Sequence, residues 1–224
     1  MSGFANVLHN LDLSVITTTL LRIIPALICI TLHEISHGLV AYWLGDTTAK
    51  DAGRLTLNPV KHIDIWGLLM MVICKFGWAK PVPVNMYRFK NPKRGMAVTA
   101  LAGPVSNIVI SVLALALYGR LFTPLSGSKV GIYFLQGIEI TAYLSCALAV
   151  FNIIPVPPLD GSKVVLSVLS DKHYAWLMHY ERYGFILLMV LVYFGILSGP
   201  LNTVTGWVYD KLFAVAEFTF RLVN

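Results

Sequence analysis

Residues 96–118, 140–159 and 183–209 of this chain contain no Asp, Glu, Lys or Arg. Each run is near or above the ~20 residues that a helix needs to cross the hydrocarbon of a bilayer. A fourth run, 13–44, is interrupted only by Arg22 and by a polar set around His33. The chain has 224 residues, of which 57% are hydrophobic and 12% charged, against roughly 45–50% and 25% in ordinary globular chains. A core of that size cannot hide so much apolar surface from water, so lipid must solvate part of it. The expected fold is an α-helical polytopic membrane protein with four to five transmembrane helices. Residues 1–12 hold no Lys or Arg, so they lack the positive region of a signal peptide.

The net charge of +6 does not point to nucleic acid. Nine of the 17 Lys and Arg fall within 50–94, beside the apolar runs. No aromatic-interleaved basic stripe accompanies them. Placed next to spans, they read as the positive-inside signal and set this loop in the cytoplasm. The first helix then runs inward, the second (about 96–118) outward and the third inward again. The third breaks near Pro155, among three prolines in four residues, because proline lacks the N–H that a helix needs. Residues 160–182 form the next cytoplasmic stretch, and 183–197 leaves again. After Pro200, an amphipathic interfacial helix and a fifth span with Asp210, Glu217 and Arg221 turned inward both fit the pattern. The whole chain, 1–224, reads as a single domain, with a core at 13–161 and C-terminal helices at 183–222. The expected location is the cell's inner, cytoplasmic membrane, as a multi-pass protein.

The loop between the first two spans is unusual. GRLTLNP (53–59) alternates like a short strand stopped by Asn-Pro, and 81–85 (PVPVN) is extended. The apolar piece 67–76 is too short to span. Irregular backbone at membrane depth is tolerated where it lines a cavity. A small membrane-associated β element that shapes a cavity is therefore expected here.

The chemistry is carried first by His33-Glu34-Ile35-Ser36-His37. On a helix, residues four apart share a face, so both imidazoles can hold one ion while Glu34 reaches the attacking water. The bland alternative is a pair of core histidines bonding between helices. Polar groups in a lipid-embedded helix are costly, and that makes function the default. A catalytic zinc takes three protein ligands and keeps one position open. The best third ligand is Asp160, at the end of FNIIPVPPLDG (151–161), where the broken helix can swing a carboxylate back. The competing role for Asp160 is a helix cap.

The other polar residues carry less. His62 and Asp64 read as a surface pair, and Cys29 lies one turn before His33, where small-residue packing is the simpler account. Glu139 reads as interfacial, and His173 and His179 as solvated loop residues. GPVSN (103–107) puts small groups into an apolar helix, for close packing or, at Asn107, for contact with a substrate groove. Three scattered cysteines, Cys29, Cys74 and Cys146, suggest neither disulfides nor a cysteine zinc site.

HEISHG (33–38), GPVSN (103–107) and FNIIPVPPLDG (151–161) together resemble the site-2 protease family of intramembrane zinc metalloproteases. GRLTLNP and GWAKPVPVN (77–85) are similar to its short prokaryotic members, which have no PDZ-like insertion or regulatory domains. The resemblance covers roughly 31–161. It implies one zinc per chain on His33, His37 and Asp160, with Glu34 as general base. It also implies that Asn152 helps hold the substrate or the oxyanion, and that 53–85 forms a membrane-embedded sheet beside the site. The expected activity is hydrolysis of peptide bonds within or near transmembrane segments of membrane protein substrates, in a site open to the cytoplasm. The rivals are a membrane metal transporter, which would need more acids or histidines along its spans, and an inactive scaffold, which would not need Glu34.

Overall fold

The computed structural model describes residues 13–74, 77–170 and 181–223. Helix α1 (Leu13–Trp43) leads through a short turn of helix, α2 (Thr48–Asp51), into a loop carrying a 3-10 turn at Pro59–His62 and helix α3 (Ile65–Cys74). A second 3-10 turn (Met86–Arg88) precedes α4 (Pro92–Ser126), α5 (Lys129–Asn152) and the short α6 (Asp160–Ser167). Helices α7 (Glu181–Tyr193) and α8 (Ser198–Val223) complete the order.

Among the described residues three helices are long and apolar enough to cross a membrane: Thr19–Trp43 within α1, then α4 and α5. The α7–α8 pair, bent by 86°, makes a fourth if it is counted as one broken span. The described residues are thus mostly helical, with three to four candidate spans against the four to five expected from the sequence. Helix starts are set by local chemistry. Asn91 accepts from the Arg94 N–H and Pro92 opens α4, a position where the missing N–H costs nothing. Ser128 caps α5 through the Gly131 N–H.

Helix α4 is the axis of the bundle, and its sequence shows why. Gly95, Thr99, Gly103, Asn107, Ser111, Leu115 and Gly119, each four residues from the last, are all buried. Small residues let helix backbones approach closely in lipid. Four residues overshoot a full turn by about 40°, so this stripe winds around α4 and meets different partners along its length. Gly103 faces α1, Asn107 meets both α1 and α5, and Leu115 packs with Ala142 of α5 and Ala216 of α8. Val98, Val105, Val109, Leu113 and Leu117 are at least 44% exposed and form the lipid side.

Helix α8 lies along α4 and α5 rather than across their ends. Its Thr205 carbonyl accepts from Cys146 Sγ at 3.9 Å, Tyr209 stacks edge-on with Tyr143 at 5.3 Å, and Phe220 meets Phe122 at 5.8 Å. Asp210, Glu217 and Arg221 are exposed on its outer face, not turned inward.

Among the described residues no strands form, so the expected β element is unconfirmed. Among the described residues, the loop holds a single antiparallel bridge, Ile63 with Ala79, extended by the Lys80 N–H donating to the His62 carbonyl at 2.9 Å. The ladder stops because Pro81 and Pro83 have no N–H to donate and because buried Arg54 takes the Lys80 carbonyl at 2.7 Å. The alternating 53–57 segment finds no partner strand, and 65–74 coils into α3. What holds the loop to α1 is a pair of carboxylates. Glu34 Oε2 accepts from the Val82 N–H at 2.9 Å, and Asp46, fully buried, accepts from the Asn85 N–H at 2.6 Å. Gly38 makes room for this, since a Cβ there would stand 2.5 Å from Leu55 and 3.1 Å from Val82.

Candidate metal centre

His33 and His37 sit four residues apart on the buried face of α1, and Asp160 is the first residue of α6. Asp160 does not cap its helix; its carboxylate turns to the imidazoles. Asp160 Oδ2 lies 3.1 Å from His33 Nε2 and 3.1 Å from His37 Nε2, and the two Nε2 atoms are 3.0 Å apart. Three ligand atoms in a near-equilateral triangle are the base of a tetrahedral site. Ligands about 2.0–2.1 Å from zinc stand roughly 3.3 Å from one another, close to the spacing found. Among the described residues no other group of three such side chains converges.

The donor set fits zinc in kind as well as in size: two imidazoles, one carboxylate and one open position make a catalytic site. The cradle itself is cut by a glycine. A Cβ at Gly103 would stand 2.6 Å from His33 Nε2 and would overlap the His37 ring. Only hydrogen at this position lets α4 pass beneath both rings.

Each of the three candidate ligands has a support. His37 Nδ1 lies 2.7 Å from the Thr99 carbonyl, which must accept from it, so the Nδ1–H is fixed and Nε2 keeps its lone pair for the metal. His33 Nδ1 lies 3.1 Å from Asn107 Nδ2, and Asn107 Oδ1 accepts from Ser145 Oγ at 3.4 Å. Asp160 Oδ1 faces Lys163 Nζ at 3.8 Å. A metal requires its carboxylate ligand ionised, and the Lys163 ammonium beside Oδ1 favours that form.

The residues expected at the site therefore divide. His33, His37 and Asp160 converge, and Glu34 follows His33 on α1 with its carboxylate half-buried against the Val82 N–H. Asn107 is fully buried behind His33. Asn152 is half-buried at the end of α5 and donates to the Leu148 carbonyl of its own helix at 3.0 Å. His62 is not at the surface but buried, 2.9 Å from the Thr56 carbonyl, while Asp64 accepts from the Gly67 N–H and caps α3. Cys29 turns to α5 and donates to the Thr141 carbonyl, and Glu139 is exposed. His173 and His179 lie outside the described residues.

Comparison with known proteins gives the setting. The profile of peptidase family M50 matches residues 122–194, a stretch that includes Asn152 and Asp160 but not the His33–His37 segment. The "Putative zinc metalloprotease YwhC" of Bacillus subtilis is 37% identical over 173 residues, covering 75% of this chain and 78% of that protein. The "Putative zinc metalloprotease Rip2" of Mycolicibacterium smegmatis is 28% identical over 202 residues, or 88% of this chain and 76% of the relative. The "Zinc metalloprotease MJ0392" of Methanocaldococcus jannaschii is 24% identical over 200 residues, 88% of this chain and 48% of the relative. No solved structure matches.

Proposed function

Since this chain belongs to peptidase family M50, the site-2 proteases, we propose that His33, His37 and Asp160 hold its zinc, one ion per chain, and that Glu34 is its general base. The protein is an intramembrane zinc metalloprotease and an integral membrane protein that acts on membrane proteins. The triangle of Nε2, Nε2 and Oδ2 atoms 3.0–3.1 Å apart carries the site assignment.

Zinc, when bound, polarises the scissile carbonyl and acidifies the attacking water. Glu34 takes a proton from that water as its oxygen bonds to the carbonyl carbon. The same carboxyl returns the proton to the amide nitrogen as the C–N bond breaks. The Val82 N–H fixes the orientation of Glu34 by occupying its Oε2, leaving Oε1 for the proton. Asn152, at the end of α5, is the residue proposed to contact substrate or the developing oxyanion, in exchange for its bond to the Leu148 carbonyl.

Asn107 has a different task, behind the metal rather than in a groove. A zinc-bound histidine donates its other ring N–H, so His33 needs an acceptor at Nδ1. Turning the Asn107 amide by half a rotation presents Oδ1 to the ring and Nδ2 to Ser145 Oγ, which can accept. Both bonds survive the turn, and the His33 tautomer is fixed.

A substrate helix hides its carbonyls in i to i−4 bonds and must unwind before attack. Residues 81–85 offer an edge for the unwound strand. The Val84 N–H and the Val82 and Val84 carbonyls have no hydrogen bond among the described residues. In an extended chain alternate residues point the same way, so these groups share the side on which Val82 meets Glu34. Main-chain pairing there would deliver a scissile bond beside the base.

The basic 50–94 loop supports a reading in which this face of the membrane, and the opening of the site, lie in the cytoplasm of a multi-pass inner-membrane protein. Residues 1–224 then act as one protease domain, with the α7–α8 pair as a broken fourth span. Incubating the purified protein with a transmembrane reporter peptide, with and without a zinc chelator, tests the reading. Cleavage that the chelator abolishes and added zinc restores is expected; cleavage indifferent to the chelator contradicts it.

A further inference from the structure

The C-terminal end of α1 and the N-terminal end of α4 enclose a cavity of about 320 Å³. Its walls are Trp43, Leu44, Phe89 and Val98, and its mouth carries Lys90 and Arg94. Both helices are candidate spans, one ending at Trp43 and the other beginning at Pro92, so the cavity lies at the boundary between hydrocarbon and water. Trp43 (73% exposed) and Val98 (50% exposed) open it sideways, toward lipid.

The two cations at its mouth differ from their neighbours. Arg88 donates to Thr47 Oγ1 at 2.6 Å and stands 3.9 Å from Asp46 and 3.7 Å from Asp51, which engages both carboxylates at this end of α1. Lys93 donates to the Leu169 carbonyl at 2.7 Å. The side chains of Lys90 and Arg94 have no hydrogen bond or ion pair among the described residues. Two uncompensated positive charges thus border an apolar recess at headgroup depth.

We propose that this recess binds one anionic phospholipid, its phosphate between Lys90 and Arg94 and an acyl chain along Val98 and Leu44. The recess suits a molecule that is anionic at one end and apolar at the other. A free phosphate would leave the apolar walls unused. A zwitterionic choline headgroup would bring a third positive charge to the mouth. Basic pockets between spans select anionic headgroups by this electrostatic term, about fivefold for each cation near the charge. The proposal does not depend on the catalytic reading.

Native mass spectrometry of the purified full chain in detergent, with phosphatidylglycerol or phosphatidylcholine added, tests it. One phosphatidylglycerol should be retained roughly 25-fold more tightly than phosphatidylcholine. In Lys90→Gln/Arg94→Gln the two lipids should bind within about twofold of each other, while Lys129→Gln/Arg221→Gln, at the far ends of α5 and α8, should keep the preference. A second measurement uses the native protein and needs no charge change. Brominated phosphatidylglycerol should quench tryptophan fluorescence saturably, and Trp43→Phe should lose that saturable part. Equal retention of both lipids, a preference that survives the double substitution, or saturable quenching unchanged in Trp43→Phe would overturn the proposal. Displacement of the lipid by excess inorganic phosphate, or by an acidic soluble peptide, would also overturn it, by marking a site for a soluble anion.

Discussion

His33 Nε2 and Asp160 Oδ2 lie 3.1 Å apart across 127 residues of sequence. The contact exists because α5 ends at Asn152 in a proline-rich turn and α6 starts again at Asp160, which returns the chain to α1. Three donors on two elements then meet at one point, and each should be needed for the metal. Purified protein should hold one zinc per chain, and His33→Ala/His37→Ala should hold almost none. Asp160→Asn should also lose most of it, because a neutral amide is a poor zinc ligand. Elemental analysis of the purified variants reads this directly; full zinc in the double histidine variant would contradict the site.

Gly103 gives a sharper geometric test. Alanine favours helix more than glycine, by about 1 kcal/mol, so Gly103→Ala should leave α4 intact on propensity alone. Its methyl would nevertheless overlap both imidazoles. Zinc content and cleavage should both fall to near background while the helical circular dichroism is unchanged. Gly127→Ala, with open space around its Cβ, is the control and should behave as wild type.

The outline of this site was legible because its chemistry is local. His33, Glu34 and His37 lie on one turn of helix, and the prolines before Asp160 mark a break that has to redirect the chain. The supports were not legible. Thr99 acts through its backbone carbonyl, which no side-chain pattern reveals, and Ser145 reaches the site only because α5 packs beside Asn107. Lys163 was within reach of inspection, since it stands three residues after Asp160 on a helix. The β element expected in the loop is unconfirmed for a definable reason. Alternation in 53–57 and the extended 81–85 both look like strand, but a strand needs a partner with free N–H groups. Pro81 and Pro83 remove two of them, and Glu34 and Asp46 take the N–H groups of Val82 and Asn85. At the C-terminus, the hydrophobic pattern of α8 could not tell an interfacial helix from one packed along its neighbours; the Leu115–Ala142–Ala216 contact decides it.

If Asn107 supports the metal from behind, as proposed, its loss should weaken zinc binding without removing a ligand. Substitutions of such partners typically cost 10- to 100-fold in metal affinity or activity. Asn107→Leu, close to isosteric, should fall in that range in a competition titration against a zinc-binding dye. Unchanged affinity with raised KM would return Asn107 to a substrate-binding role.

The proposed orientation rests on the charge of the 50–94 loop. A single cysteine at Lys50 should resist a membrane-impermeant thiol reagent added to intact cells, whereas one at Gly127, between α4 and α5, should react. These probes belong in a background with Cys29, Cys74 and Cys146 replaced by Ala. The reverse pattern would place the open side of the site outside the cell.

In the proposed mechanism Glu34 is the residue on which hydrolysis depends and metal binding does not, since the candidate ligand triangle is complete without it. General acid–base groups contribute about 10²–10⁴-fold. The decisive measurement is cleavage of a transmembrane reporter by Glu34→Gln, with bound zinc measured in the same preparation. The account predicts one zinc per chain, intact binding of uncut substrate and a cleavage rate at least ~100-fold below wild type. Cleavage at near wild-type rate by a zinc-loaded Glu34→Gln would contradict it.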